Sequence, residues 1–150
     1  MTFMTSWFLM PMIFIAAGCT VSNPELTRSR PQALAGCPAR PNCVSSMAGS
    51  PSRRIAPLRL IGDADKAWEA VVLQVSTLPR TQIDFSDDRY LHAACSSRFF
   101  GFIDDLELLR HEDGSVSIRS AARTGYSDFG VNRQRVVSLE KTLRDMGVLQ

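Results

Sequence analysis

Between Gly101 and Arg135 the chain gathers the side chains with the most chemical potential: the carboxylates Asp104, Asp105 and Glu107, the arginines Arg119, Arg123, Arg133 and Arg135, and the polar run Ser127-Asp128 followed by Asn132. Clustered carboxylates can hold a hard divalent cation or work as an acid–base pair. Grouped arginines recognise anions. A serine beside an acid invites nucleophilic catalysis. Spacing weighs against two of these uses. Asp104 and Asp105 are adjacent, so on a strand they point to opposite sides. In Gly125-Tyr126-Ser127-Asp128-Phe129-Gly130 the second glycine comes one residue too late for a nucleophile elbow, and the two histidines, His92 and His111, are distant from Ser127 in sequence. Three function classes remain. The favoured one is a non-catalytic module that binds an anionic or amphipathic small molecule, or a partner protein, through Arg119, Arg123, Asp128, Asn132, Arg133 and Arg135. The second is a hydrolase or transferase using Ser127 and Asp128, or Asp104 and Asp105. The third is a structural assembly module in which Asp104, Asp105 and Glu107 neutralise the arginines as internal ion pairs. No cofactor and no metal is expected.

The elements that carry these residues are legible from periodicity. Leu106 and Leu108 share a parity with Phe102 and Asp104, whereas Asp105, Glu107 and Leu109 fall on the other. After a turn, Val116, Ile118, Ser120 and Ala122 alternate with Ser117, Arg119, Ala121 and Arg123. Aligning the apolar rows of an antiparallel hairpin requires an odd loop, for example Glu112-Asp113-Gly114 with a left-handed glycine, and then Arg119 faces Glu107 or Asp105. Val136, Leu139, Leu143 and Met146 recur at helical spacing and Gly147 ends the run, which predicts a helix from Asn132 or Arg133 to Met146, capped by Asp128 or Asn132. Arg133 and Arg135 then lie in or near its first turn, where the helix dipole disfavours cations unless an anion is close.

The motifs CPARPNCVSS at Cys37 to Ser46, GFIDDLELL from Gly101, SIRSAARTGYSDFGVNRQRV from Ser117 and their order resemble the family known as domain of unknown function 1499. The resemblance covers nearly the whole chain after its N-terminal segment. It implies a compact α+β domain and no particular reaction. Ala122 stands where that family often has serine.

Upstream, Trp7 to Ala17 is an apolar run broken by Pro11 and followed by Ala16-Ala17-Gly18-Cys19. It is too short to span a bilayer but suits a secretory signal, and the small residues before Cys19 resemble a bacterial lipobox. Residues 1–18 are therefore expected to be a lipoprotein signal peptide and Cys19 to carry lipid. Thr20 in place of aspartate fits sorting to the outer membrane, at its periplasmic face. Residues 19–35, rich in Ser, Pro and Arg, read as a flexible tether, and residues 36–150 as one domain. Cys37 and Cys43 flank a turn-rich segment suited to a short disulfide, whereas a zinc site with His92 and Cys95 fails because those two point to opposite faces of a strand. Cys95 then packs as a small hydrophobe. The balance of 17 basic and 15 acidic residues, without a basic run, gives nothing for nucleic acid to bind. Ile55 to Ile61 reads as a weak strand, Lys66 to Leu78 as a helix capped by Asp63 with Trp68, Val71, Val72 and Val75 inward, and Gln82 to Phe85 and Tyr90 to Ser97 as strands. The order β-α-β-β-β-β-α predicts an α+β fold: an antiparallel sheet of about four to five strands with two helices on one face.

Overall fold

A computed structural model describes residues 30–98 and 101–150. The expected signal peptide and Cys19 lie outside the described residues. The fold is the α+β sandwich that the pattern predicts. Its strands are β1 (Cys43–Ser45), β2 (Leu58–Arg59), β3 (Thr81–Ser86), β4 (Tyr90–Ser96), β5 (Ile103–Arg110) and β6 (Ser115–Ala122), and its helices α1 (Ala64–Ser76) and α2 (Val131–Asp145). The antiparallel order is β1-β6-β5-β4-β3, with β2 pairing the same edge of β6 as β1.

Parity decides what each face of the sheet contains. Leu106 opposes Ser120 and Leu108 opposes Ile118 across the hairpin, while Leu91 and Ala93 oppose Leu108 and Leu106 on the other side. This inner row meets Trp68, Val71 and Val75 of α1 and Val136, Leu139 and Leu143 of α2 in one buried core. The two histidine- and cysteine-bearing positions of β4 separate as expected: His92 lies on the outer row, and Cys95 is buried, free of any disulfide, on the inner one. At the hairpin, His111 N–H donates to the Ser115 carbonyl at 2.8 Å, leaving Glu112-Asp113-Gly114 as the loop. Gly114 has φ +75°, the left-handed conformation that a side chain would strain. The Asp63 carboxylate accepts the Asp65 and Lys66 N–H groups, each at 3.1 Å, and so starts α1.

The structure departs from the sequence reading in four places. The sheet has six strands, because Cys43–Ser45, read as the rim of a disulfide loop, pairs with Ala121, Ser120 and Arg119. The strand expected over Ile55 to Ile61 narrows to Leu58–Arg59; beyond it the chain turns to bond the loop and C-terminus, Leu60 N–H to Gly114 and Ile61 N–H to Val148. The tether expected to run to residue 35 ends earlier, since Leu34 is buried against Tyr90 and Leu109 on the outer face and Arg30 pairs with Asp88 at 2.9 Å. Finally, the register of β3 shifts between Ile83 and Phe85. Ile83 faces the core opposite Ala93, but Phe85 falls opposite His92 and its ring sits 5.9 Å from that of Tyr90. A bulge inserts one residue and re-aims the side chains beyond it, which puts Phe85 on the outer face.

Cys37 and Cys43 form a disulfide. It closes the turn that precedes β1 and fixes Asn42 between them. On the chain-entropy account so small a loop stabilises by about 2 kcal/mol. Cys37→Ser is accordingly expected to lower the unfolding free energy in urea by about that amount, and a variant as stable as the parent would show that β1 holds this loop without the bond.

Candidate functional site

The charged residues of the hairpin and of α2 separate into two groups, one on each face of the sheet. On the inner face, α2 begins at Val131 after Gly130, which sits at φ +82° and, being glycine, has no side chain to cap the helix. Asp128 does that work from two residues upstream: its carboxylate accepts the Gly130 N–H at 3.1 Å and the Asn132 N–H at 2.8 Å. Asn132, completely buried, is held on the helix and does not cap it; its side-chain carbonyl accepts from Ser120 Oγ at 2.5 Å and from Arg135 at 2.7 Å. Arg135 also bonds Ser120 Oγ at 2.9 Å and ends 2.6 Å from the Asp104 carboxylate, whose side chain is 6% exposed. An arginine just past the first turn of a helix is thereby matched by two acids, one on the helix amides and one at its tip. Asn42 completes the group: its backbone carbonyl accepts the Ala122 and Asn132 Nδ2 N–H groups, and its own Nδ2 donates to Gly125 at 2.7 Å. Its Oδ1 is buried without a partner among the described residues.

On the outer face Glu107 and Arg119 are in direct register and their side chains meet at 2.7 Å, with the Tyr90 hydroxyl donating to the same carboxylate at 2.8 Å. Asp105 accepts from Arg123 at 2.8 and 3.0 Å and stands 2.7 Å from His92 Nε2. Asp84, brought round by the β3 bulge, lies 3.4 Å from His92 Nδ1 and 3.7 Å from Arg123. Burial alone would raise the Asp105 carboxyl, but the bonds from His92 and Arg123 outweigh it and hold the group well below the usual carboxylate range. Arg123 is raised in turn, chiefly by its bond to Asp105.

This geometry bears on each reaction that the residue types invite. Asp104 and Asp105 lie on opposite faces, each against an arginine, so they cannot share a cation or a substrate bond. Among the described residues no cluster of three or more His, Cys, Asp or Glu is arranged to hold a metal ion. Ser127 is exposed and its hydroxyl accepts the Phe129 N–H at 3.2 Å. His92 is buried with a carboxylate at each ring nitrogen, leaving neither nitrogen to take a proton from a nucleophile. A serine–histidine contact does exist elsewhere, His111 Nε2 to Ser117 Oγ at 2.8 Å, at the hairpin end. Arg133 remains apart from both networks. It donates to the Ser52 carbonyl at 2.7 Å and lines a cleft of about 350 Å³ with Pro41, Arg53, Asp128 and Gly130. The sequence reading thus named most members of both networks but not Asn42, Ser120, Asp84, His92 or Tyr90. The first follows a motif proline and precedes the disulfide cysteine, a visible signal; the other four are assembled by the bulge, by cross-strand register and by the docking of α2.

Removing one partner of a buried ion pair costs about 3–5 kcal/mol, so Arg135→Met and Asp104→Asn should each destabilise strongly while the double variant loses much less than their sum. Urea unfolding of the four chains measures this; additive losses would mean that the pair does not couple. For Asp105 the folded group titrates below its unfolded value, so its contribution is complete above about pH 4 and declines as acid reaches the folded value. Asp105→Asn should therefore be less stable than the parent at neutral pH, with the gap closing in acid. A gap that stays constant across that range would exclude the charge as its cause.

Residues 33–143 match the family model described as Protein of unknown function (DUF1499). No curated protein matches the chain. The matched span runs from the segment beside Leu34 through the disulfide turn, both networks and almost all of α2, and on that ground the chain belongs to the DUF1499 family.

Proposed function

We propose that the protein is a non-catalytic module of the cell envelope, anchored through a lipid on Cys19 at the periplasmic face of the outer membrane, that works by presenting a rigid surface to a binding partner. The observation that carries this reading is the allocation of charge. Arg119, Arg123 and Arg135 each hold a carboxylate, Arg133 holds backbone carbonyls, and Asp128 fills the helix amides that an external anion would use. The residues whose types invite catalysis thus hold the sheet and α2 in register. A small anionic or amphipathic ligand at these arginines has less support, because it would have to displace bonds of 2.6 to 2.8 Å. The anchor reading rests on the apolar run and the Ala16-Ala17-Gly18-Cys19 step, and the disulfide suits an oxidising compartment.

A hydrolase reading has one observation in its favour, the His111–Ser117 contact, but no carboxylate bonds the other ring nitrogen of His111 among the described residues. Two measurements address these proposals. Cells expressing the full chain should incorporate labelled palmitate into it, and Cys19→Ala should abolish the label; label that persists would refute the anchor. A fluorophosphonate probe should leave the purified chain unmodified, whereas modification lost in Ser117→Ala or Ser127→Ala would make it a serine hydrolase.

A further inference from the structure

Among the described residues, Arg80 and Phe129 are the two non-glycine positions with a left-handed backbone, at φ 53° and 51°. Topology brings both to one end of the sheet, where β3 starts, β4 ends, β5 starts and β6 ends. Ser96 N–H bonds the Arg80 carbonyl there, and Arg123 N–H the Ile103 carbonyl, each at 2.9 Å. For a bulky side chain such a backbone is a costly outlier, and outliers of this kind gather at binding sites. Around Phe129 the loop's own bonds hold the conformation: its N–H bonds Ser127 Oγ and the next N–H bonds Asp128. The strain does not serve packing. The Phe129 ring is 96% exposed and Tyr126 is 74% exposed, with Phe102 and Val131 also open to solvent at this end.

Charge is graded along the sheet in the same sense. Arg80 and Arg98 stand at the aromatic end beside the Arg123–Asp105 and Arg135–Asp104 pairs; Asp128 is taken up there by the amides of α2, and the Arg80 Nε meets a backbone carbonyl, that of Ser96. The opposite end carries Asp87, Asp88, Glu112 and Asp113, and its arginines Arg30, Arg89 and Arg110 pair with acids. We infer that the end formed by Tyr126, Phe129, Phe102, Arg80 and Arg98 docks on a bilayer surface that carries anionic headgroups. Amphipathic and apolar rings enter the headgroup boundary while arginines remain at the phosphates, and each group supports the other's binding. The proposed anchor enters only by keeping a bilayer near. Residues 20–29 span at most roughly 33–36 Å when extended, more than the roughly 26 Å of the eight-residue β5. A chain attached at Cys19 and packed at Arg30 on the far end can therefore lay this end on the same membrane.

The test uses the full chain carrying Phe129→Trp, added to vesicles of phosphatidylethanolamine and phosphatidylglycerol, with the emission of the parent chain subtracted. The expected result is a blue shift together with quenching by brominated acyl chains, both smaller on phosphatidylcholine vesicles and both reduced by adding Arg80→Gln. Water-like emission from chains that float with the vesicles overturns the inference. So does a blue shift that arises only when envelope proteins are restored, since that assigns the surface to a protein partner. The emission is read whether or not the chain is acylated, so failure of the lipid anchor, seen as loss of palmitate label, is distinguishable from failure of the docking surface.

Discussion

The bond between Arg135 and Asp104 is the constraint on which the rest of the inner structure depends. It places a guanidinium from near the N-terminus of α2 against a carboxylate at the start of β5, and a charge in that position is tolerable only if its own remaining polar contacts are matched. Ser120, Asn132 and the backbone carbonyl of Asn42 supply those matches, and each comes from a different segment. The pair therefore sets the axial position of α2 on the sheet and the approach of the disulfide turn to the β6 edge. Apolar packing by Val136, Leu139 and Leu143 contributes the larger favourable term but specifies position less sharply.

The outer face obeys a different logic with the same outcome. No helix covers it. Instead the segment around Leu34 lies across Tyr90 and Leu109, and Glu107, Arg119, Asp105, Arg123, His92 and Asp84 form a partly exposed band of paired charges beside it. Opposite charges directly across a ladder help fix its register, since a one-residue slip would separate them and turn the leucines outward. The same alternation that builds the core thus assigns Asp104 and Asp105 to separate networks.

How far the sequence alone reaches can be judged residue by residue. Parity within GFIDDLELL and SVSIRSAA is enough to derive an odd loop with a left-handed glycine and the opposition of Arg119 to an acid, Glu107 or Asp105, because a two-residue period leaves few alternatives; the three-residue loop of the structure selects Glu107. The helices are legible for the same reason. Other features are hidden by short length or long range. Cys43–Ser45 has too few residues to show alternation, and it pairs with β6, more than 70 positions away. Leu34 is a single apolar side chain in a polar stretch, buried only because Tyr90 and Leu109 leave it a place. The bulge at Asp84 reads as plain alternation, which places Phe85 on the strand without its reversal of face. The α2 cap is legible in part: Asp128 is one of the two candidates and its carboxylate does accept the first amides, while the left-handed glycine between it and the helix is not foreseen. Asn42 stands inside a motif yet offers no chemistry until the turn, β6 and α2 are brought together.

The central claim is that the arginines are held by the protein's own acceptors. It is tested most directly by following the side-chain N–H resonances of Arg119, Arg123, Arg133 and Arg135 in the intact chain while inorganic phosphate is added at constant ionic strength. The account predicts slowly exchanging signals for the three carboxylate-bound guanidiniums and no saturable shift in any of the four. A saturable shift at Arg119, Arg123 or Arg135 would contradict it and make those residues a site for an external anion.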